Sequence, residues 1–272
     1  MLEWVAIAVG LVGFGWAGWL DLKTTEFPDW IPYALIAAGL GIAGAAAGIA
    51  GSIQPLLQSA LVGLAFLALG HVLYQTKQWG DGDAWLLGAL GFLFPSGIGP
   101  AVSALPPALL LLMMFFVTGF AYMAVYSVAV GFHAGVMTRF LRSFRKGFVR
   151  VAGITVLFAL LAGGLLTWYS LPAKALPIFA ALPAAVFLLL VFVNYGRYIE
   201  RQVFRRKIPV RELREGDVPI GEKWKTLSKR EIAALKRKGG SVWIKEGVRL
   251  SMAFAFTILV QLLAGDLLSF LF

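Results

Sequence analysis

Residues 107–133 read PALLLLMMFFVTGFAYMAVYSVAVGFH, an apolar run without a single Asp, Glu, Lys or Arg. A helix needs about 20 mostly apolar residues to cross the hydrocarbon core of a bilayer, and an uninterrupted run of that length reads as a membrane span. The same ruler laid along the chain gives further spans at 3–20, 31–53, 56–75, 84–95, 151–171, 177–196 and 250–270. The segment 84–95 is short and ends at Pro95, so it spans only if neighbouring helices shelter it. The fold class is therefore an all-α polytopic membrane protein, with about eight membrane segments, one of them short, and a small cytoplasmic α+β segment. Composition agrees: 60% of residues are hydrophobic, 14% are charged and the mean hydropathy is +0.82, whereas a soluble domain is about 25% charged. With no cysteine, disulfides, thiolate metal sites and cysteine nucleophiles are excluded. His71 and His133, the two histidines, lie far apart in the chain, which argues against a multi-His zinc site.

The chain carries 24 Lys and Arg against 14 Asp and Glu, a net charge of +10. In a membrane protein such an excess reads as topology, so no nucleic-acid partner is expected. The loops after the first, third, fifth and seventh spans hold Lys23; Lys77; the group Arg139, Arg142, Arg145, Lys146 and Arg150; and every basic residue from Arg197 to Arg249. The loops after the second, fourth and sixth hold only Lys174. This asymmetry puts the basic loops in the cytoplasm and both termini outside. The N-terminus carries Glu3 and no basic run, so the first span is expected to persist rather than be cleaved as a signal peptide. Within the polar segment 197–247, Ser228 followed by Glu231 predicts a capping box, Ile232 to Leu235 an apolar stripe and Gly239 a helix stop, with short strands around Ile208–Val210 and Val242–Ile244. Its positive charge suits the anionic headgroups of the bilayer. The expected organisation is a membrane core over residues 1–133, a basic loop with two additional spans over 134–196, the cytoplasmic segment 197–247 and a last span over 248–272.

Once topology explains the basic residues, the acids carry the information. Outside 197–247 they are Glu3, Asp21, Glu26, Asp29, Asp81, Asp83 and Asp266. Glu3 and Asp266 sit near outer helix ends, where solvation accounts for them. The other five gather at one membrane boundary, at the inner end of the first span and at the junction of the third and fourth. Asp21 ends an apolar run, and such a boundary aspartate is commonly a solvated helix end. Asp83 lies in Trp79-Gly80-Asp81-Gly82-Asp83-Ala84-Trp85, where a capping turn is the plain reading. Two glycines flanking an acid exceed what a turn needs; they let another backbone approach closely, and an extended peptide laid there pairs its main chain with the loop. That points to a peptide substrate. Two carboxylates brought together share one proton, so one member takes a proton from an attacking water while the other gives one to the developing oxyanion, without metal or cysteine. Spacing alone leaves contact between Asp21 and Asp83 open.

Gly80-Asp81-Gly82-Asp83 fits the GxGD motif, and Asp21-Leu22-Lys23-Thr24-Thr25-Glu26-Phe27-Pro28-Asp29-Trp30 supplies an aspartate, a basic residue two on, and a proline before the second span. On these segments the sequence resembles the GxGD membrane aspartyl proteases, specifically the archaeal type IV prepilin and preflagellin (archaellin) peptidases. The resemblance covers roughly residues 1–133 and returns more weakly in Pro209–Val218 and Val242–Gly247. It implies that Asp21 and Asp83 are the catalytic pair, with no metal and no other cofactor. The implied substrate is a membrane-inserted pilin or archaellin precursor whose short basic leader is cut at the cytoplasmic face of the plasma membrane. Gly80, Gly82, Asp81, Lys23, Glu26 and Asp29 are the implied substrate-binding positions, and the acidic mouth of Asp21, Glu26, Asp29 and Asp81 suits the leader's charge. Asp81 occupies the family's variable position and adds a third candidate carboxylate. The spans 151–171 and 177–196 are additional to compact members. The cysteine motifs of bacterial bifunctional members are missing, and with them any support for N-methylation. Pro107-Ala108-Leu109 spells the PAL tripeptide of presenilin-like relatives but follows GxGD too closely and in the wrong span, so it is read as chance.

Two other classes compete. Asp81 and Asp83 as a metal-binding pair, with Asp21 or Asp29 as a further oxygen ligand and basic residues holding phosphate, would make a Mg-dependent lipid-phosphate or sugar transferase. A proton-coupled transporter requires acids deep in its spans and an internal repeat, and this sequence offers neither. His71 reads as a helix partner rather than a hydrogen-bonding neighbour of the aspartates. An interfacial aromatic belt accounts for Trp16, Trp19, Trp30, Trp79 and Trp85.

Overall fold

The computed structural model describes residues 1–76, 78–98, 106–168, 176–213, 218–219, 227, 229–245 and 249–264. Lys77, Lys174, Ser228 and Asp266, which entered the sequence reading, lie outside the described residues. In lipid a backbone must satisfy its own N–H and C=O groups, so apolar runs become helices. These are α1 (Leu2–Thr24), α2 (Trp30–Ala50), α3 (Gln54–Gln75), α4 (Asp81–Leu93), α5 (Pro107–His133), α6 (Met137–Trp168), α7 (Leu176–Ile199) and α9 (Met252–Ala264), while α8 (Lys229–Lys238) is polar. Among the described residues, six helices are long and apolar enough to cross a membrane, namely α1, α2, α3, α5, α6 and α7. The chain is a multi-pass membrane protein of the expected all-α class.

Two compact units divide the chain: Met1–Met123 with Gly247–Phe272, and Ala124–Glu246. In the first, the 13-residue α4 is packed by α2 and α3 and is buried from Leu86 to Leu93. A helix that is apolar all round belongs in an interior, and burial in protein is what permits so short a segment at membrane depth. Gly70 brings α3 against α4: a Cβ there would lie 2.7 Å from the Ala84 carbonyl oxygen. The Ser59 hydroxyl donates to the Phe92 carbonyl at 2.8 Å, satisfying one of the backbone acceptors that a helix C-terminus leaves open.

The helices α1 and α9 run antiparallel. Gly10 meets the Ile258 side chain, Phe14 stacks on Phe254 with ring centroids 5.5 Å apart, and Gly18 meets the backbone of Met252. This sequence of contacts delivers the first turn of α9 to the last turn of α1.

In the second unit α6 packs on α7, and Val136, Phe140, Tyr195, Ile199 and Phe204 form a cluster. The Tyr195 hydroxyl donates to the Ser127 carbonyl at 2.7 Å. Strands β1 (Arg205–Pro209), β2 (Val218–Pro219) and β3 (Ser241–Lys245) make an antiparallel sheet in the order β1-β3-β2, with Lys207 opposite Trp243. Val210, Leu213, Leu227, Ile244 and, from α8, Ile232 form its small core. At the end of α8, Gly239 has φ 69° and its N–H donates to the Leu235 carbonyl at 3.1 Å, the left-handed stop that the glycine predicts.

Three differences from the sequence reading have physical causes. The stretch read as a basic loop is helical: Arg139, Arg142, Arg145, Lys146 and Arg150 lie in the first half of α6, which continues to Trp168 without a break. Arg139, Arg142, Lys146 and Arg150 follow one another at three or four residues, which puts these charges on one face, compatible with an unbroken helix. Strand β2 was not foreseen, because two residues carry no periodicity. α1 extends to Thr24, so Asp21 sits inside its last turn rather than at its end.

Candidate active site

Asp21 is 7% exposed, so it is not a solvated helix end. Beyond it the chain reverses at Thr25, which adopts φ 63° and donates its N–H to the Asp21 carbonyl at 2.9 Å. A β-branched residue in the left-handed region is strained. The Thr24 hydroxyl steadies this turn, lying 2.9 Å from the Leu20 carbonyl oxygen and 2.7 Å from that of Glu26. The loop that follows returns to the start of α4: a Cβ on Gly82 would lie 2.6 Å from the tip of the Phe27 ring. Glycine at 82 therefore seats Phe27, and the loop carrying Glu26 and Asp29 sits beside the Gly-Asp-Gly-Asp turn.

Gly80 is the N-cap of α4, in extended conformation, and Asp81, Gly82 and Asp83 fill its first turn. The Asp83 carboxylate accepts a hydrogen bond from the Gly80 N–H, the reach-back of an acid at the third helical position. Both aspartates also complement the positive helix N-terminus. Asp83 is half-buried and Asp81 is exposed.

A third element joins the two acidic ones. The N–H of Ser251, immediately before α9, donates to Asp21 Oδ2 at 3.1 Å, and its hydroxyl donates to Asp83 Oδ1 at 3.2 Å. One residue thus holds both carboxylates, which lie within electrostatic reach of each other. Arg249 donates from Nη1 to the Leu22 carbonyl at 2.6 Å, and its charge acts on Asp21. A cation on the last carbonyls of a helix also complements its dipole.

Of the residues singled out from sequence, Asp21, Asp83, Gly80 and Gly82 come together. Glu26, Asp29 and Asp81 are exposed around them. Lys23 is exposed, with Nζ 4.4 Å from the centre of the Trp19 ring, a cation–π pairing. His71 lies edge-on to Trp85 and Tyr74, at 6.3 and 5.9 Å between ring centroids. Among the described residues no three His, Cys, Asp or Glu side chains converge in a group fit to hold a metal ion. Sequence reasoning missed Ser251, Arg249 and Phe27. A serine just before an apolar run is a helix-start signal, but it says nothing of what its N–H and hydroxyl meet.

Two carboxylates on one residue at a helix-capped mouth are equipped for proton transfer to and from a water adding to a carbonyl, one member ionised and the other protonated. Residues 8–128, which include both aspartates and end before Ser251, match the model of the type IV leader peptidase family. No curated protein and no solved structure matches the chain.

Proposed function

Because residues 8–128 match the model of the type IV leader peptidase family, whose members act on pilin-like precursors in the membrane, we propose that this protein is an aspartyl endopeptidase in which Asp21 and Asp83 activate the water. The observation that carries the reading is the pair of hydrogen bonds from Ser251 to the two carboxylates. In the reaction the ionised aspartate takes a proton as the water oxygen bonds to the scissile carbonyl carbon, and the protonated one gives its proton to the carbonyl oxygen. Collapse of the gem-diol reverses both transfers: the first aspartate protonates the leaving nitrogen, the second recovers a hydroxyl proton, and the C–N bond breaks. The substrate is a membrane-inserted pilin or archaellin precursor, cut after its short basic leader at the cytoplasmic face. Exposed Glu26, Asp29 and Asp81 suit that leader by charge, and the basic segments of the chain suit anionic headgroups.

The test is cleavage of a membrane-inserted precursor by the purified protein, with and without EDTA. The expected result is a single cut after the leader at a rate that EDTA leaves unchanged, falling about tenfold when the leader's basic residues are made neutral. Absence of cleavage with several leaders overturns the reading, and loss of activity in EDTA shifts it to the Mg-dependent transferase.

A finer expectation concerns the two glycines. Gly82→Ala places a methyl 2.6 Å from the Phe27 ring and must displace the Glu26–Asp29 loop, so cleavage is expected to fall about tenfold. At Gly80 the nearest atom to an added Cβ is Asp83 Oδ2, at 3.4 Å, an ordinary contact, and Gly80→Ala is expected to stay within about threefold of wild type. Cleavage rates of the two variants side by side check this ordering.

A further inference from the structure

We propose that Ser251, brought by the last helix from outside the family-matched segment, is a positioning residue that holds the two aspartates of the proposed dyad in register and divides their roles. The inference rests on the aspartyl reading above and deepens it. The two hydrogen bonds differ in kind. A backbone N–H only donates, so at 3.1 Å from Oδ2 it serves Asp21 best when that carboxylate carries the charge. A hydroxyl both donates and accepts, so at 3.2 Å from Oδ1 it serves Asp83 in either protonation state. Two further features of the same turn act on Asp21. Arg249 places its charge there while gripping the Leu22 carbonyl, and Ser251 stands at the positive end of the 13-residue α9. Lys23, the other cation nearby in sequence, is held over Trp19. Asp21 is accordingly the member that takes the water's proton, and Asp83 the one that protonates the carbonyl oxygen.

Ser251 is 1% exposed and keeps its N–H in any substitution except proline, so its two bonds separate experimentally. Ser251→Ala removes the hydroxyl, which bonds Asp83 and also acts on Asp21, and leaves the N–H bond to Asp21 in place. The expected outcome is a fall of about 10–100-fold in kcat for cleavage of the membrane-inserted precursor, with KM within about twofold of wild type and an unchanged thermal midpoint, because a misplaced acid slows chemistry without weakening substrate binding. Ser251→Thr, whose hydroxyl stands on the same atom, is expected to return kcat to within about fivefold. The inference is overturned if Ser251→Ala retains kcat within about twofold, if KM and thermal stability deteriorate together with the rate, or if threonine is no better than alanine. Failure of the underlying reading is distinguishable: it shows as cleavage surviving in Asp21→Asn and Asp83→Asn, whatever Ser251 does.

Discussion

Asparagine in place of Asp21 or of Asp83 is expected to slow precursor cleavage by at least about a thousandfold, since a positioned acid or base contributes about 10²–10⁴-fold and here both steps need both groups. The substitution preserves shape and an acceptor oxygen for the Ser251 donors, so helix content and thermal midpoint in detergent should stay near wild type while activity disappears. Because the pair acts as a unit, the double variant should be no worse than either single one. Asp81 is the informative contrast. It precedes Asp83 by two residues yet is exposed, at the first position of α4, so on the proposed reading it would act on a basic leader only through solvent. Asp81→Asn is therefore expected to lose at most about fivefold, the range of a rim charge screened by water. Single-turnover cleavage rates for the three variants decide the matter: total loss for Asp81→Asn with Asp83→Asn tolerated would reverse the assignment.

Much of this molecule was legible because lipid constrains sequence strongly. The run 107–133 and its counterparts announce helices by length alone, and the acids that charge topology leaves unexplained include Asp21 and Asp83. The helix ends were readable where local chemistry decides them, as at Gly239 and near Pro95. What stayed hidden depends on packing between distant segments. Ser251 is 230 residues from Asp21 and 168 from Asp83, and no local pattern ties a serine before one apolar run to an aspartate at the end of another. The seat of Phe27 on Gly82 is equally non-local in kind: the glycine was read as room for a substrate backbone, and the structure fills that side with a ring of the chain itself. The continuous α6 was missed for another reason. Charge density suggested a loop, although Arg139, Arg142, Lys146 and Arg150, three or four residues apart, are as compatible with a solvated helix face as with irregular chain.

Gly18 decides whether the third element of the site can be present at all. It lies one turn before Asp21 on the same face of α1, and a Cβ there would stand 2.6 Å from the Met252 Cα and 2.8 Å from its nitrogen. Backbone cannot rotate away as a side-chain tip can, so Gly18→Ala must push the start of α9 outward by about 1 Å to restore an ordinary contact. Ser251, adjacent to Met252, moves with it, and its 3.1 Å bond to Asp21 stretches beyond hydrogen-bond range. A displacement of that size near reacting groups costs about a hundredfold in rate, and the overpacking is expected to lower stability by about 1–3 kcal/mol. Gly15 supplies the control, because a Cβ there meets nothing within 4 Å. Alanine improves intrinsic helix propensity equally at both positions, so the difference between Gly18→Ala and Gly15→Ala isolates the contact with α9. Gly15→Ala is expected to cleave the precursor within about twofold of wild type. Equal rates for the two variants would mean that the approach of α9 to α1 is not what holds the aspartates ready, and that the packing at Gly18 serves stability alone.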